Sequence, residues 1–291
     1  MTYSNPELLK KKEHLLAQVI QAKESYQISF DFHGIMINFN TSNQKLIEAL
    51  KDYIPSSWLI ANGDGSLNIY HNSFPETSTD WEAESSSDVY SPAPFVGIQR
   101  DFCAKKLSNS SSCYVFFNNE IDDGLHNFMR WLLSPSLIEL DKVILHSSAL
   151  VTSDDRPYLF LGPSGAGKTT IASLARDHLV LSDDMNLLDF SLRPKIYPGG
   201  VGGLYKPEVS IAKGFNIRTG YWIIQSNVHE VRELSRKKQA QYLLASLANI
   251  SWQSVSSVKS QMILDSVEKI LDLLTIKELH FKKDSHFWDI I

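Results

Sequence analysis

Apolar positions along the chain change period several times, and each change predicts an element. Asn5-Pro6 opens a helix whose stripe carries Leu8, Leu9, Leu15, Leu16, Val19 and Ile20. Residues 26–32 then alternate apolar and polar, His33-Gly34 breaks the run, and residues 35–39 resume it, which predicts a β-hairpin. A helical pattern with Leu46, Ile47 and Leu50 fills 41–54 and stops at Pro55. Residues 58–61 and 67–70 read as strands around the turn cluster Asn62-Gly63-Asp64-Gly65. From 73 to 94 the period vanishes under Ser, Thr, Asp, Glu and Pro, which predicts a long mobile acidic loop. Strands return at 95–104 and 112–117, and 122–133 is helical with Leu125, Phe128, Met129, Leu132 and Leu133 on one side.

Beyond residue 135 the pattern becomes strand-rich. Residues 142–145 and 149–151 flank His146-Ser147-Ser148, so the histidine is expected near a strand end. Apolar runs at 158–161, 179–181, 221–225 and 279–281 read as strands, and helices are predicted from Ser235 to about Ala248 and over 261–274. The expected organisation is a small α+β domain over 1–135 followed by an α/β domain over 136–291.

Composition narrows the class. A hydrophobic content of 43% with 21% charged residues describes an ordinary globular chain. The net charge of −5 argues against a nucleic-acid-binding face. Lys10-Lys11-Lys12 and Arg236-Lys237-Lys238 lie in helical patterns and read as solvated surface. Cys103 and Cys113 are the two cysteines, expected as free thiols on the arms of a hairpin. No apolar run reaches membrane-spanning length and the first residues lack a signal-peptide core, so a cytoplasmic location without membrane partners is expected.

One segment carries explicit chemistry. Gly162-Pro163-Ser164-Gly165-Ala166-Gly167-Lys168-Thr169 fits the Walker A pattern G-x-x-x-x-G-K-[ST] at every fixed position. An apolar strand precedes it, and a helical pattern from Thr170 to Arg176 follows. Glycines let successive N–H groups converge on phosphate oxygens, and a helix N-terminus adds partial positive charge. Residues 162–169 together with Thr170 are therefore the expected nucleotide-binding segment. Lys168 is expected as a partly exposed contact to the β- and γ-phosphates, and Thr169 as a magnesium ligand.

Two further features sit at strand ends. Asp183-Asp184 follow the apolar run 179–181, where a carboxylate can orient magnesium or accept a proton from an attacking hydroxyl. His146 could orient a phosphoryl oxygen or tune that base, although a lone histidine in an apolar run is more often a satisfied core residue. The glycine-rich stretch 197–207 suits either close approach to a substrate or a plain connector.

His146, the loop 162–169 and Asp183-Asp184, taken in that order, resemble the catalytic core of the bacterial HPr kinase/phosphorylase family. The wider family includes HPr kinase-like enzymes that phosphorylate peptide or small-molecule hydroxyls, among them kinases of lasso-peptide pathways. The resemblance covers roughly residues 140–291 and includes the final strand around Leu279-His280-Phe281. It implies a nucleotide-binding core of the HPr kinase/phosphoenolpyruvate carboxykinase-like type, with a mixed sheet and flanking helices. It also implies ATP and magnesium as cofactors, Lys168 on phosphate, Thr169 and Asp183 at the metal, Asp184 as proton acceptor and His146 assisting. The family's downstream acidic signature is not recognisable; Glu208 is the nearest candidate for a further metal ligand. Residues 1–135 do not resemble the front domain of the HPr kinases.

The reading is thus an ATP- and magnesium-dependent phosphotransferase acting on a Ser or Thr hydroxyl of a peptide or protein. A small-molecule hydroxyl kinase and a nucleotide sensor without phosphoryl transfer are the alternatives. The oligomeric state stays open.

Overall fold

A computed structural model describes residues 5–18, 26–76, 79–85, 89–93, 95–108, 110–175, 178–200, 209–247 and 257–291. The chain is mixed α/β with two mixed sheets. It divides into two compact units, one built on Met1–Leu133 and one on Ser134–Ile250 with Val255–Ile291.

In the first unit, α1 (Pro6–Ala17) starts where the Asn5 side chain accepts a hydrogen bond from the Leu8 N–H. The hairpin of β1 (Tyr26–Phe32) and β2 (Ile35–Thr41) turns through His33 at φ 53° and Gly34 at φ 96°. Two positive φ values match the right-handed twist of the flanking strands. Asn43 caps α2 (Gln44–Tyr53) on the Leu46 N–H. Then come β3 (Leu67–Ser73), β4 (Val96–Ile98), β5 (Cys103–Lys106), β6 (Ser112–Phe117) and α3 (Asp123–Glu139), whose residues from Ser134 onward belong to the second unit. The sheet order is β1-β2-β3-β6-β5-β4, with β2, β3 and β6 parallel and the remaining pairings antiparallel.

Several boundaries differ from the pattern. Residues 58–61 form no strand: Ser56–Trp58 is a 3-10 turn, and Leu59 makes an isolated bridge to Phe30. The Trp58 ring packs edge-on against Phe32 and His33 instead. The expected strand 95–104 is two strands, because the Gln99 N–H donates to the Phe102 carbonyl and closes a turn. Helix α3 continues through Pro135 to Glu139; burial of Leu137 and Ile138 offsets the hydrogen bond that proline removes. Lys12 is no surface residue. It is fully buried and donates to the Gln99 and Arg100 carbonyls at 2.7 and 2.6 Å, and burial lowers its pKa to about 8.

Within 73–94, Phe74 stacks on Trp81, Glu84 accepts from the Asn5 N–H, and Tyr90 pairs with Ile98. Phe74, Trp81 and Tyr90 join a cluster with Leu8, Leu15, Leu16 and Phe116. The expected helix-stripe residues Val19 and Ile20 lie outside the described residues. Both cysteines are buried free thiols on neighbouring strands, and burial raises Cys103 to about 12.

The second unit holds a nine-stranded sheet. In chain order it comprises β7 (Lys142–Val151), β8 (Pro157–Leu161), α4 (Lys168–Ser173), β9 (Leu179–Ser182), β10 (Met185–Asp189), β11 (Lys195–Pro198) and β12 (Phe215–Asn216). There follow β13 (Thr219–Gln225), β14 (Glu230–Arg232), α5 (Arg236–Ser246), α6 (Ser257–Leu273) and β15 (Thr275–Phe281). The order is β12-β11-β10-β7-β8-β13-β15-β14, with β9 on β7. β8, β13 and β15 run parallel, and the other pairings are antiparallel. Leu159 and Leu161 face one apolar cluster with Ile270 and Leu274, while Phe160 faces another with Ile171, Tyr221 and Phe287. Burial on both faces explains why 158–161 reads as an unbroken apolar run. Among the described residues, no helix is long and apolar enough to cross a membrane.

Candidate functional site

The segment 162–167 leaves the C-terminal end of β8, the end at which the parallel strands β13 and β15 also finish, at Gln225 and Phe281. Ligands of α/β sheets bind beyond such strand ends. Gly165 at φ 77° and Gly167 at φ 111° bend the backbone into left-handed conformations. No hydrogen bond within the protein takes up the N–H groups of Gly165, Gly167, Lys168 or Thr169 among the described residues. Successive unpaired donors on such a bend form an anion-binding concavity. Pro163, Ser164 and Gly165 are exposed at its tip, and the Gln225 side chain donates to the Gly165 carbonyl at 2.9 Å.

Gly167 is further constrained by packing. A Cβ there would lie 2.8 Å from Cζ of Phe281. Gly167→Ala combines that clash with a left-handed backbone, so a loss of about 2 kcal/mol or more is expected. The check is the urea midpoint of the second unit; an unchanged midpoint would contradict it.

Helix α4 is short. It ends at Ser173 rather than running to Arg176, which lies outside the described residues. Six residues carry little cumulative dipole, so the loop N–H groups matter more than the helix axis.

Lys168 departs from its expected exposure. It is 6% exposed, and its ammonium donates to the loop's own Gly162 and Pro163 carbonyls at 2.9 and 3.1 Å. Burial pulls its pKa below the usual lysine value, against the opposing pull of Asp184 and Asp183.

His146 sits mid-strand, not at a strand end, because β7 is continuous through Ser147 and Ser148. β10 and then β9 lie along one edge of β7, pairing Met185 with His146 and Ser182 with Ala149. Asp183 and Asp184 fall in the gap between them, opposite Ser148 and Ser147. Thr169 Oγ1 donates to Asp183 Oδ2 at 3.0 Å, and His146 Nε2 lies 2.9 Å from Asp184 Oδ1. Asp183 is 2% exposed, whereas the His146 and Asp184 side chains are about a third exposed. The two carboxylates thus have separate partners, one hydroxyl and one imidazole.

The structure therefore brings together Lys168, Thr169, Asp183, Asp184 and His146. Thr170 lies on α4, one residue beyond Thr169. Glu208 and most of the stretch 197–207 lie outside the described residues. Among the described residues, no three His, Cys, Asp or Glu side chains form a metal cage. Thr169 and Asp183 do offer a hydroxyl and a carboxylate side by side, the hard oxygen donors that suit magnesium. Sequence reading missed Gln225, Ser182 and Asn186, which act through backbone groups and belong to no spacing pattern. No protein-family model matches the chain, and no curated protein matches it.

Proposed function

We propose that this chain binds ATP with magnesium at the 162–169 loop and transfers the γ-phosphoryl group to a Ser or Thr hydroxyl of a peptide or protein. The observation that carries the reading is the convergence on one loop of unpaired N–H groups, a buried lysine and two separately partnered carboxylates. The mixed sheet agrees with the core type that the HPr kinase-like resemblance implies.

Each group has a role in this scheme. Phosphate oxygens accept from the loop N–H groups, and Lys168 exchanges the Gly162 and Pro163 carbonyls for them. Thr169 and Asp183 would hold magnesium, which would supply charge neutralisation to the phosphate groups. Asp184 takes the acceptor's hydroxyl proton. His146, with Nε2 2.9 Å from Asp184 Oδ1, orients that carboxylate. Positioning and electrostatics supply most of the rate in such transfers.

The test is ADP release from MgATP with and without a library of Ser/Thr peptides. Release that depends on the peptide supports the reading; equal release in water alone, or none, overturns it. Asp184→Asn is expected to abolish transfer while ATP affinity stays within about tenfold, since an amide fills the space but accepts no proton. Asp183→Asn is expected to weaken the magnesium dependence instead. Interchanged phenotypes would reverse the two assignments.

A further inference from the structure

Asn186 is fully buried in the sheet interior, an unusual place for a carboxamide. Its Nδ2 faces three oxygens: the Ser147 carbonyl at 2.8 Å, Ser147 Oγ at 3.1 Å and the Ser182 carbonyl at 3.5 Å. Three acceptors on one side fix the orientation of the amide. Its Oδ1 is buried without a partner among the described residues, a desolvation cost that an apolar residue would avoid.

The surrounding backbone shows where that cost is offset. The Ser147 N–H donates to the Asp184 carbonyl at 2.7 Å, as in an antiparallel ladder. The Ser147 carbonyl, however, accepts from Asn186 Nδ2, and the Asp184 and Met185 N–H groups donate to Ser182 Oγ at 3.3 and 3.2 Å. Side chains thus serve the backbone groups that strand neighbours ordinarily serve. A regular strand would send adjacent side chains to opposite faces. Here the break lets both Asp183 and Asp184 reach partners around one loop, on Thr169 and His146.

We propose that Ser182 and Asn186 are positioning residues that interrupt the strand and aim Asp183 and Asp184 at the nucleotide loop. The geometry stands on the hydrogen bonds alone; the purpose rests on the nucleotide reading above. Ser182 acts through two N–H groups and Asn186 through the Ser147 carbonyl.

The experiment compares wild type with Ser182→Ala, Ser182→Thr and Asn186→Leu by three measurements. These are amide exchange at Asp184 and Met185 without ligand, ATP affinity with magnesium and with chelator, and the thermal midpoint. In Ser182→Ala, exchange at both amides is expected to quicken about tenfold, as loss of a hydrogen bond of about 1 kcal/mol or more implies. The enhancement of ATP affinity by magnesium is expected to fall about tenfold, with metal-free affinity within about twofold. Ser182→Thr, which keeps the hydroxyl, restores both, and Asn186→Leu follows Ser182→Ala. If Asn186→Leu does not fold, the Ser182 pair decides alone.

An undiminished magnesium enhancement in Ser182→Ala overturns the proposal. So does an equal loss of affinity with and without metal that Ser182→Thr fails to rescue, the mark of a merely structural serine. Unprotected Asp184 and Met185 amides in the wild type overturn the geometric part by itself. Wild-type protein that binds no ATP overturns the nucleotide reading, and the purpose assigned here falls with it.

Discussion

Lys168→Ala is expected to weaken MgATP binding roughly 30- to 150-fold, the equivalent of about 2–3 kcal/mol for a charge-assisted contact to phosphate. Under the proposed function phosphoryl transfer should also fall to background, because the lysine would neutralise charge on the transferred group. The same substitution carries a folding cost. The Gly162 and Pro163 carbonyls lose the ammonium that now satisfies them, which costs about 1–3 kcal/mol. Burial already disfavours the ammonium's charge, so some of that cost is regained by removing it. Equilibrium titration with ATP and a denaturation midpoint on the same preparation separate the two effects. A folded Lys168→Ala protein that binds MgATP at wild-type strength would sink the phosphate-cradle assignment.

The second large effect is expected in acid and in the first unit. His71 is buried between Phe39 and Phe117, with one ring nitrogen 2.9 Å from Thr41 Oγ1 and the other 3.3 Å from the Phe117 carbonyl. Burial lowers its pKa to about 4, and burial together with nearby Arg130 lowers that of His126 to about 4. The unfolded chain binds protons at both positions near pH 6.5, where the folded chain does not. More protons on the unfolded state means stability that is full above pH 6.5 and is lost as pH falls towards 4. Each histidine contributes up to about 3 kcal/mol over that window.

Asp101 and Asp122 work the other way. Burial holds both above the usual carboxylate range, so their protonation favours the folded unit at the acid end of the same window. Urea unfolding followed by amide exchange in β3 and β6 should therefore show a midpoint that drops most steeply from pH 6.5 to about 5. His71→Gln should flatten the profile. A midpoint independent of pH over that range would contradict the burial argument.

The features that sequence alone could determine are those whose cause is local. A positive φ at two consecutive turn positions demands His33-Gly34 or something like it, and the hairpin is written in those residues. The loop 162–169 is equally local, because each glycine answers a backbone requirement of its own. Asn5, Asn43 and Ser235 cap helices within three residues of themselves.

Other features depend on what lies across the sheet or beneath the loop. The pattern divided β7 at His146-Ser147-Ser148 because those residues are polar; in the structure β10 on one side and β8 on the other carry the strand through. Lys12 reads as a solvated cation and Lys168 as a partly exposed phosphate contact, yet each is buried on carbonyls, from residues 99 and 100 for one and from the 162–163 turn for the other. Asp183 and Asp184 were legible as a strand-end pair. Their division between Thr169 and His146 was not, since it follows from side chains of Ser182 and Asn186 standing in for ladder bonds. Local propensity acts over a few residues along the chain, whereas burial and hydrogen-bond satisfaction are settled only once distant segments meet.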